Sequence, residues 1–322
     1  MKAALKQIVR SSFPLNCLWH VLNNVRHHIK IKIKDHATES GATHATLCVE
    51  DSIKYVEDVL SDYQQISGRK NFSGRITEIG PGDCSGVALL FRENGAEQVD
   101  LADRFYSKRN AVQQTAIYKA LGEKYPKIQK ILDNSTLEGE PKLENITRFY
   151  GEESSGEKFF DRGQRYDYII SRSVLEHVDS PAIVLKKAYA ALRPGGMLIH
   201  KVDLRDHQLF TPYFHDVKFL ETPVFLHKLM TKGIGLPNRI LFHEYKDILL
   251  RLNPKSEFYI AGLHGVPNLD GAYKIEDLPM ESLNLSIDFI EKHRAKFSCK
   301  FKNVSSENLM VSSFFFVCEK DT

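Results

Sequence analysis

Apolar residues recur along this chain in two patterns, a helical stripe and a short unbroken run, and the two alternate through its middle. Within 51–66, Val56, Val59, Leu60 and Tyr63 fall at i, i+3, i+4 and i+7 and share one helical face. Asp51 or Ser52 is placed to cap that helix. After the loop "SGRKNFSG" (67–74), "RITEIG" reads as the first buried strand. A helix then begins near Ser85, carries Val87, Leu89, Leu90 and Phe91, and ends at Gly95. Further strands are expected at 97–105, 145–151, 165–173 and 197–203. The run Tyr168–Ile170 suits a parallel strand buried on both faces. A helix is expected around 110–122, followed by a looser piece, "PKIQKILDNSTLEGEPK". Ser180-Pro181 opens another helix, with serine as cap and proline in the first turn. Its inner face is Val184, Ala188, Ala191 and Leu192, and "RPGG" (193–196) stops it.

Strands alternating with helices over 75–203 predict an α/β fold with a doubly wound, mostly parallel sheet. Beyond Asp203 the pattern changes. Residues 206–250 are rich in aromatics and histidine, and read as an insertion after the fifth strand with a helix at 243–252. Late strands at 256–265 and 311–320 bring the sheet to seven. The expected division is an N-terminal extension of cap helices (1–70) and one domain (71–322), whose insertion (206–255) would serve as a substrate lid. The first 50 residues are the hardest to read. "RHHIKIKIK" (Arg26–Lys34) alternates basic and β-branched residues. It reads either as a half-buried strand or solvated basic face, or as a weak contact with an anionic membrane surface or polyanionic substrate.

Composition narrows the class. The 322 residues are 42% hydrophobic and 26% charged, ordinary for a globular protein with a sizeable core. A formal charge of +3 gives no general pull toward nucleic acid. Cys17, Cys48, Cys84, Cys299 and Cys318 are scattered and form no ligand pattern, which suits a reduced, cytoplasmic setting and no metal. No apolar run is long enough for a membrane span, and Lys6, Arg10 and Ser11 break any leader-like stretch.

The candidate chemistry lies in "EIGPGDCSG" (78–86), where three glycines follow a buried strand and lead into a helix. Gly80 permits a tight turn, Gly82 a ligand's approach to the backbone, and Gly86 close packing of helix on strand. The free amides of the helix start can bind a polar group. A dinucleotide fingerprint reads G-x-G-x-x-G; here the third glycine comes one residue later. This form, with Glu78 two residues ahead of Gly80, resembles motif I of the class I S-adenosylmethionine-dependent methyltransferases. "VDLADRF", ending a second strand at Asp103, "SRSVLEHV" (171–178) and "LRPGGMLI" (192–199) follow in the family's order, and "SRSVLEHV" resembles the post-strand segment of its type 11 branch.

The resemblance covers about 75–205 and implies a Rossmann-like methyltransferase sheet with S-adenosylmethionine as cofactor. It places Glu78, Gly80 and Gly82 around the methionine end, with Gly86 in the same cofactor-binding loop, Asp103 on the ribose, Glu152 or Glu153 toward the adenine, and Ser171 beside the methyl site. The implied reaction is in-line methyl transfer to a small-molecule or carbohydrate acceptor, at oxygen. A hydroxyl acceptor needs a general base, and the candidates at strand ends are His177, Asp203 and His207, the last two sharing one face if their segment is helical. Ser171-Arg172-Ser173-Val174 stands where base-methylating relatives carry an Asn/Asp-Pro-Pro-aromatic segment, so a nucleic-acid acceptor is not expected. Aromatics of the insertion, such as Phe210, Tyr213 and Phe225, suit either a lid over an apolar or sugar-like acceptor or added core. "VDLRDH" and "LPNR" resemble bacterial methyltransferases of surface-polysaccharide synthesis. Two other readings stay open: a methyltransferase-like protein that binds without catalysis, and a nicotinamide-dependent oxidoreductase.

Overall fold

The computed structural model describes residues 2–33, 37–38, 41–137 and 141–322. Helices α1 (Lys2–Ser11) and α2 (Phe13–Ile33) lead, through the short strand β1 (Ala37–Thr38), to α3 (Val49–Ser67). The alternating unit is β2 (Gly74–Ile79), α4 (Gly86–Glu93), β3 (Ala96–Asp103), the short β4 (Tyr106–Ser107), α5 (Ala111–Lys124), α6 (Pro126–Asp133), β5 (Ile146–Tyr150), β6 (Tyr166–Arg172), α7 (Pro181–Ala191) and β7 (Leu192–Asp203). Then come α8 (Val224–Thr231), α9 (Phe242–Leu252), β8 (Glu257–Leu263), α10 (Met280–Arg294), α11 (Ser306–Leu309) and β9 (Val311–Glu319).

Seven strands form one sheet in the order β5-β3-β2-β6-β7-β9-β8. The first five are parallel; β9 runs antiparallel to β7, and β8 antiparallel to β9. The expected Rossmann-like methyltransferase sheet is therefore present, with its strand order reversing at β2. In such a sheet the crevice for a ligand lies outside the carboxyl ends of the strands at that reversal. One apolar layer, with Val56, Tyr63, Phe91, Leu89 and Tyr118, packs on one face of the sheet. The other, with Leu185, Phe210, Tyr245, Phe314 and Phe316, packs on the opposite face.

Several local expectations change. Arg26–Ile33 is the end of α2, because the helical spacing begun at Phe13 continues through the alternating segment; Lys34 lies outside the described residues. The N-cap of α3 is Cys48, whose Sγ accepts the Asp51 N–H at 3.3 Å, so neither Asp51 nor Ser52 caps it. Ser180 occupies the N-cap of α7 without a side-chain cap bond. Glu157 Oε1 takes the N–H groups of Asp179 and Ser180 instead, at 2.8 and 3.2 Å. The loose piece after α5 contains α6, begun by Pro126 in its first turn; residues 138–140 lie outside the described residues.

Strand β9 is buried along all but its last residue, between β7 and β8. Phe314 within it is fully buried and meets the rings of Phe242 and Tyr245 at centroid distances of 5.0 and 5.5 Å. Phe314→Ala is expected to cost about 3–5 kcal/mol in urea unfolding. A loss below about 1 kcal/mol would mean that β9 does not hold the far half of the sheet.

Candidate active site

Strands β2, β3 and β6 end side by side, and the chain must leave each without filling the space above it. At β2 this is done by Gly80 and Gly82, both in the left-handed region at φ 68° and 65°. The glycines make room for the protein's own chain as well. A Cβ on Gly80 would lie 2.4 Å from Val174, and one on Gly82 would lie 2.7 Å from the carbonyl oxygen of Gly41. A Cβ on Gly86 would meet Val56 of α3 at 2.9 Å. So Gly86 serves helix-to-helix packing, and the third glycine is not a helix-to-strand contact as its spacing suggested.

The Gly41 contact reveals what residues 41–48 do. Asp83 N–H donates to the Gly41 carbonyl at 3.0 Å. The Asp83 carboxylate in turn accepts the N–H groups of His44 and Ala45 at 3.2 and 2.7 Å. The segment is thereby folded back over the glycine turn, and β1 pairs with β4 beside it. From below, Arg148 of β5 donates to the Gly82 carbonyl at 3.0 Å and to Ser85 Oγ at 3.1 Å.

These elements enclose a cavity of about 390 Å³. Glu78, Gly80, Gly82 and Asp103 line it on one side, His177 and His207 on another, and Gly41, Thr43 and His44 roof it. Tyr55, Arg172, Ser173, Val174 and Ser154 to Glu157 complete the wall. Glu78 sits between Leu101 of β3 and Ile170 of β6, and is buried. Burial raises its pKa from 4.5 to about 7, opposed by Arg148. Asp103 Oδ1 accepts the Phe105 N–H at 2.9 Å; burial raises its pKa from 3.8 to about 6.

Gly86 and four other sequence candidates lie off the cavity wall. The 3₁₀ turn Glu152–Ser154 directs Glu152 to Arg104, at 2.9 Å, and Glu153 to Lys158, also at 2.9 Å. Ser154 and Ser155 face the cavity in their place. Ser171 is buried inside the sheet, 2.6 Å from Nδ1 of His200 on the adjacent strand, and Arg172–Val174 line the cavity in its place. Asp203 stands one layer back, held by the guanidinium of Arg205 at 2.8 and 3.1 Å. Burial would raise its pKa, but those bonds and the nearby His207 hold it below the usual value.

His177 and His207 meet edge to face, ring centroids 4.5 Å apart. The segment after Asp203 is not helical. His207 and Gln208 have φ of 46° and 67°, and that turn brings His207 Nε2 within 3.2 Å of the Asp203 carbonyl oxygen. Ser173, on the same wall, has φ 55°. Strained non-glycine backbone of this kind clusters at functional sites. Behind the pair lies Glu176, fully buried, with neither carboxylate oxygen hydrogen-bonded among the described residues. It is 3.7 Å from His207 Nε2 and 4.0 Å from His177 Nε2. Burial raises Glu176 well above the ordinary carboxylate value, and burial together with His207 lowers His177 to about 4.

A family model for the methyltransferase domain matches residues 53–253. The chain belongs to this family. It is a class I methyltransferase, and its cofactor is S-adenosylmethionine. No curated protein sequence matches it. Among solved structures it is similar to phosphoethanolamine N-methyltransferase 2 of Haemonchus contortus in complex with S-adenosyl-L-methionine, at 16% identity and TM-score 0.42, over 83% of this chain and 53% of that one. It thus spans about half the length of the Haemonchus enzyme. It is also similar to the YcgJ protein of Bacillus subtilis, at 10% identity and TM-score 0.41, over 84% and 99% of the two chains. A third is the CurJ carbon methyltransferase, at 14% identity and TM-score 0.36, over 84% and 54%.

The cavity suits this cofactor on its own chemistry. Glu78 is a buried acid in want of a cation, and the methionine moiety carries an ammonium. Asp103 offers a carboxylate at the next strand end, where ribose hydroxyls would be held. The sign of the resulting pH dependence is fixed. Folding raises the Glu78 pKa, so the ligand-free fold binds the proton more tightly than the unfolded chain does. Its contribution therefore destabilises the fold progressively as pH rises from about 4.5 through about 7. A bound cation favours the carboxylate, so cofactor affinity is expected to rise over pH 6 to 7.5 with proton release. In Glu78→Gln both the pH-dependent loss of apo stability and the rise in affinity should flatten. Calorimetry and urea melts across this range check it; an unchanged slope in the variant would remove Glu78 from the cofactor's cation.

Proposed function

We propose that the chain methylates a hydroxyl oxygen on a small or sugar-like acceptor, with His207 as general base. The observation behind this reading is the histidine pair on the cavity wall, with His207 Nε2 turned to the Asp203 carbonyl at 3.2 Å. An Nε2–H donated to that carbonyl leaves Nδ1 as the proton acceptor. Asp203 Oδ1 and Glu176 Oε1 lie 3.9 and 3.7 Å from His207 Nε2, too distant for direct hydrogen bonds. His177 stays neutral near pH 7, so it presses on His207 without adding charge.

S-adenosylmethionine supplies a methyl group already activated on sulfonium. The protein's part is then alignment and proton removal. Glu78, Gly80, Gly82 and Asp103 would hold the cofactor, and Arg172–Val174 would border the acceptor side. The roof of Gly41, Thr43 and His44 limits water entry. The insertion contributes His207 and Gly235 to the wall, which supports its assignment as the acceptor-side lid.

His207→Ala is expected to lower single-turnover methyl transfer by about 10²–10⁴-fold, while cofactor affinity stays near wild type. The defect should shrink at high pH, where the hydroxyl ionises unaided. The assay is transfer from methyl-labelled cofactor to fractionated small-molecule and saccharide extract. Wild-type rates in the variant would remove His207 as base. Label that never leaves the cofactor in any fraction would favour the non-catalytic reading.

A further inference from the structure

Helix α2 packs Phe13, Cys17 and Val21 against the core, and it is apolar on its outward face as well. Its inward face carries polar groups that bond to backbone carbonyls of the insertion. Asn16 donates to Leu209 O at 2.7 Å and Asn24 to Leu229 O at 2.8 Å, and both residues are buried. His20 and His28 reach Leu209 O and Lys232 O at 3.2 and 3.0 Å. The outward face is apolar: Leu15, Leu18, Trp19, Leu22, Val25 and Ile29 are all exposed, Leu22 by 58%. They follow the i, i+3, i+4, i+7 spacing of one helical stripe. Beside it, α8 exposes Phe225 and Leu229. A continuous outward stripe of this length on a folded chain marks an interaction surface.

Charge decides the occupant. Residues 1–34 contain Lys2, Lys6, Arg10, Arg26, Lys30, Lys32 and Lys34, and no Asp or Glu. A second copy would set this cationic segment against itself, with no acid on either helix to compensate. An anionic bilayer surface supplies the opposite charge along with a medium for the leucines and the indole. Among the described residues no helix is long and apolar enough to cross a membrane, so α2 would lie in the interface.

We propose that α1 and α2 form a peripheral membrane anchor, with the stripe Leu15–Ile29 in the headgroup–acyl boundary of an anionic leaflet and Lys and Arg stems reaching its headgroups. This places the cavity next to the bilayer. His27 of α2 contacts the ring of Phe105 at 6.3 Å, and Phe105 lines the cavity. Residues 26–33 of the alternating segment are one end of this anchor, and its apolar stripe begins a dozen residues earlier.

Trp19 is the chain's single tryptophan and lies on the stripe, so it reports directly. The full chain is mixed with vesicles of phosphatidylcholine alone or with phosphatidylglycerol added. With the anionic vesicles Trp19 emission should move to shorter wavelength and be quenched by brominated acyl chains, and the protein should float with the lipid. Neutral vesicles should give much less, and added salt should release the protein. Leu18→Glu with Leu22→Glu should weaken binding at least ~10-fold with an unchanged melting temperature, because both side chains point outward. Lys6→Glu with Arg26→Glu should weaken it selectively on anionic vesicles. No Trp19 shift and no flotation with anionic vesicles would overturn the proposal. So would a concentration-dependent dimer abolished by the Leu18/Leu22 variant and indifferent to lipid.

Discussion

The architecture of this site turns on a contact between two backbones at Gly82 and Gly41, where a side chain on Gly82 would collide. The glycine turn must leave β2 in a left-handed conformation, and its Cβ direction is taken by a carbonyl from a segment forty residues earlier. Asp83 fixes that segment through two charge-assisted bonds to His44 and Ala45, each of a type worth about 1.5–3 kcal/mol. Arg148 braces the same turn from beneath. The cofactor's wall and its roof are thus one interlocked unit. Conformational freedom at Gly80 and Gly82 makes room for Val174 and for the Gly41 carbonyl, which brings the extension into place.

Electrostatics complete what the backbone begins. Three carboxylates, Glu78, Asp103 and Glu176, are held near the strand ends, and all three are raised by burial. Asp103 keeps one bond, from the Phe105 N–H, whereas the Glu176 carboxyl has none among the described residues, and burial of that kind costs stability. Glu78 and Asp103 line the cavity, and Glu176 backs the histidine pair. The same division of labour separates Asp203 from His207: Arg205 keeps Asp203 ionised, and the left-handed turn at His207 returns its ring to the Asp203 carbonyl.

Much of the fold was legible because it depends on local signals. The buried run at Tyr168–Ile170 and the Ser180-Pro181 start each encode an element within a few residues. The lateness of the third glycine set the loop apart from a dinucleotide turn. Less was legible where partners are distant in sequence. Nothing around Gly41 or His44 announces a roof, since its anchor is Asp83. Arg148 reads as a strand residue until it is found under Gly82. Glu176 stands in "LEHV" beside His177, and only its unbonded burial singles it out. Ser171 was misplaced by one residue of strand alternation, which turns it into the sheet toward His200. The spacing of Asp203 and His207 suggested a helix; the positive φ at His207 and Gln208, which helices do not contain, joins them differently. In α2 the period-2 run at its end masked the helical stripe from Leu15 to Ile29, which is exposed on the outward face.

The central claim, that the glycine turn and Asp103 hold S-adenosylmethionine, is tested most directly by ligand-dependent melting of the purified full chain. S-adenosylmethionine and its demethylated product should each raise the melting temperature, with saturation at ~100 times the dissociation constant contributing about 2.7 kcal/mol, while NAD and NADP leave it unchanged. A rise with NAD or NADP and none with either adenosyl ligand would contradict the account.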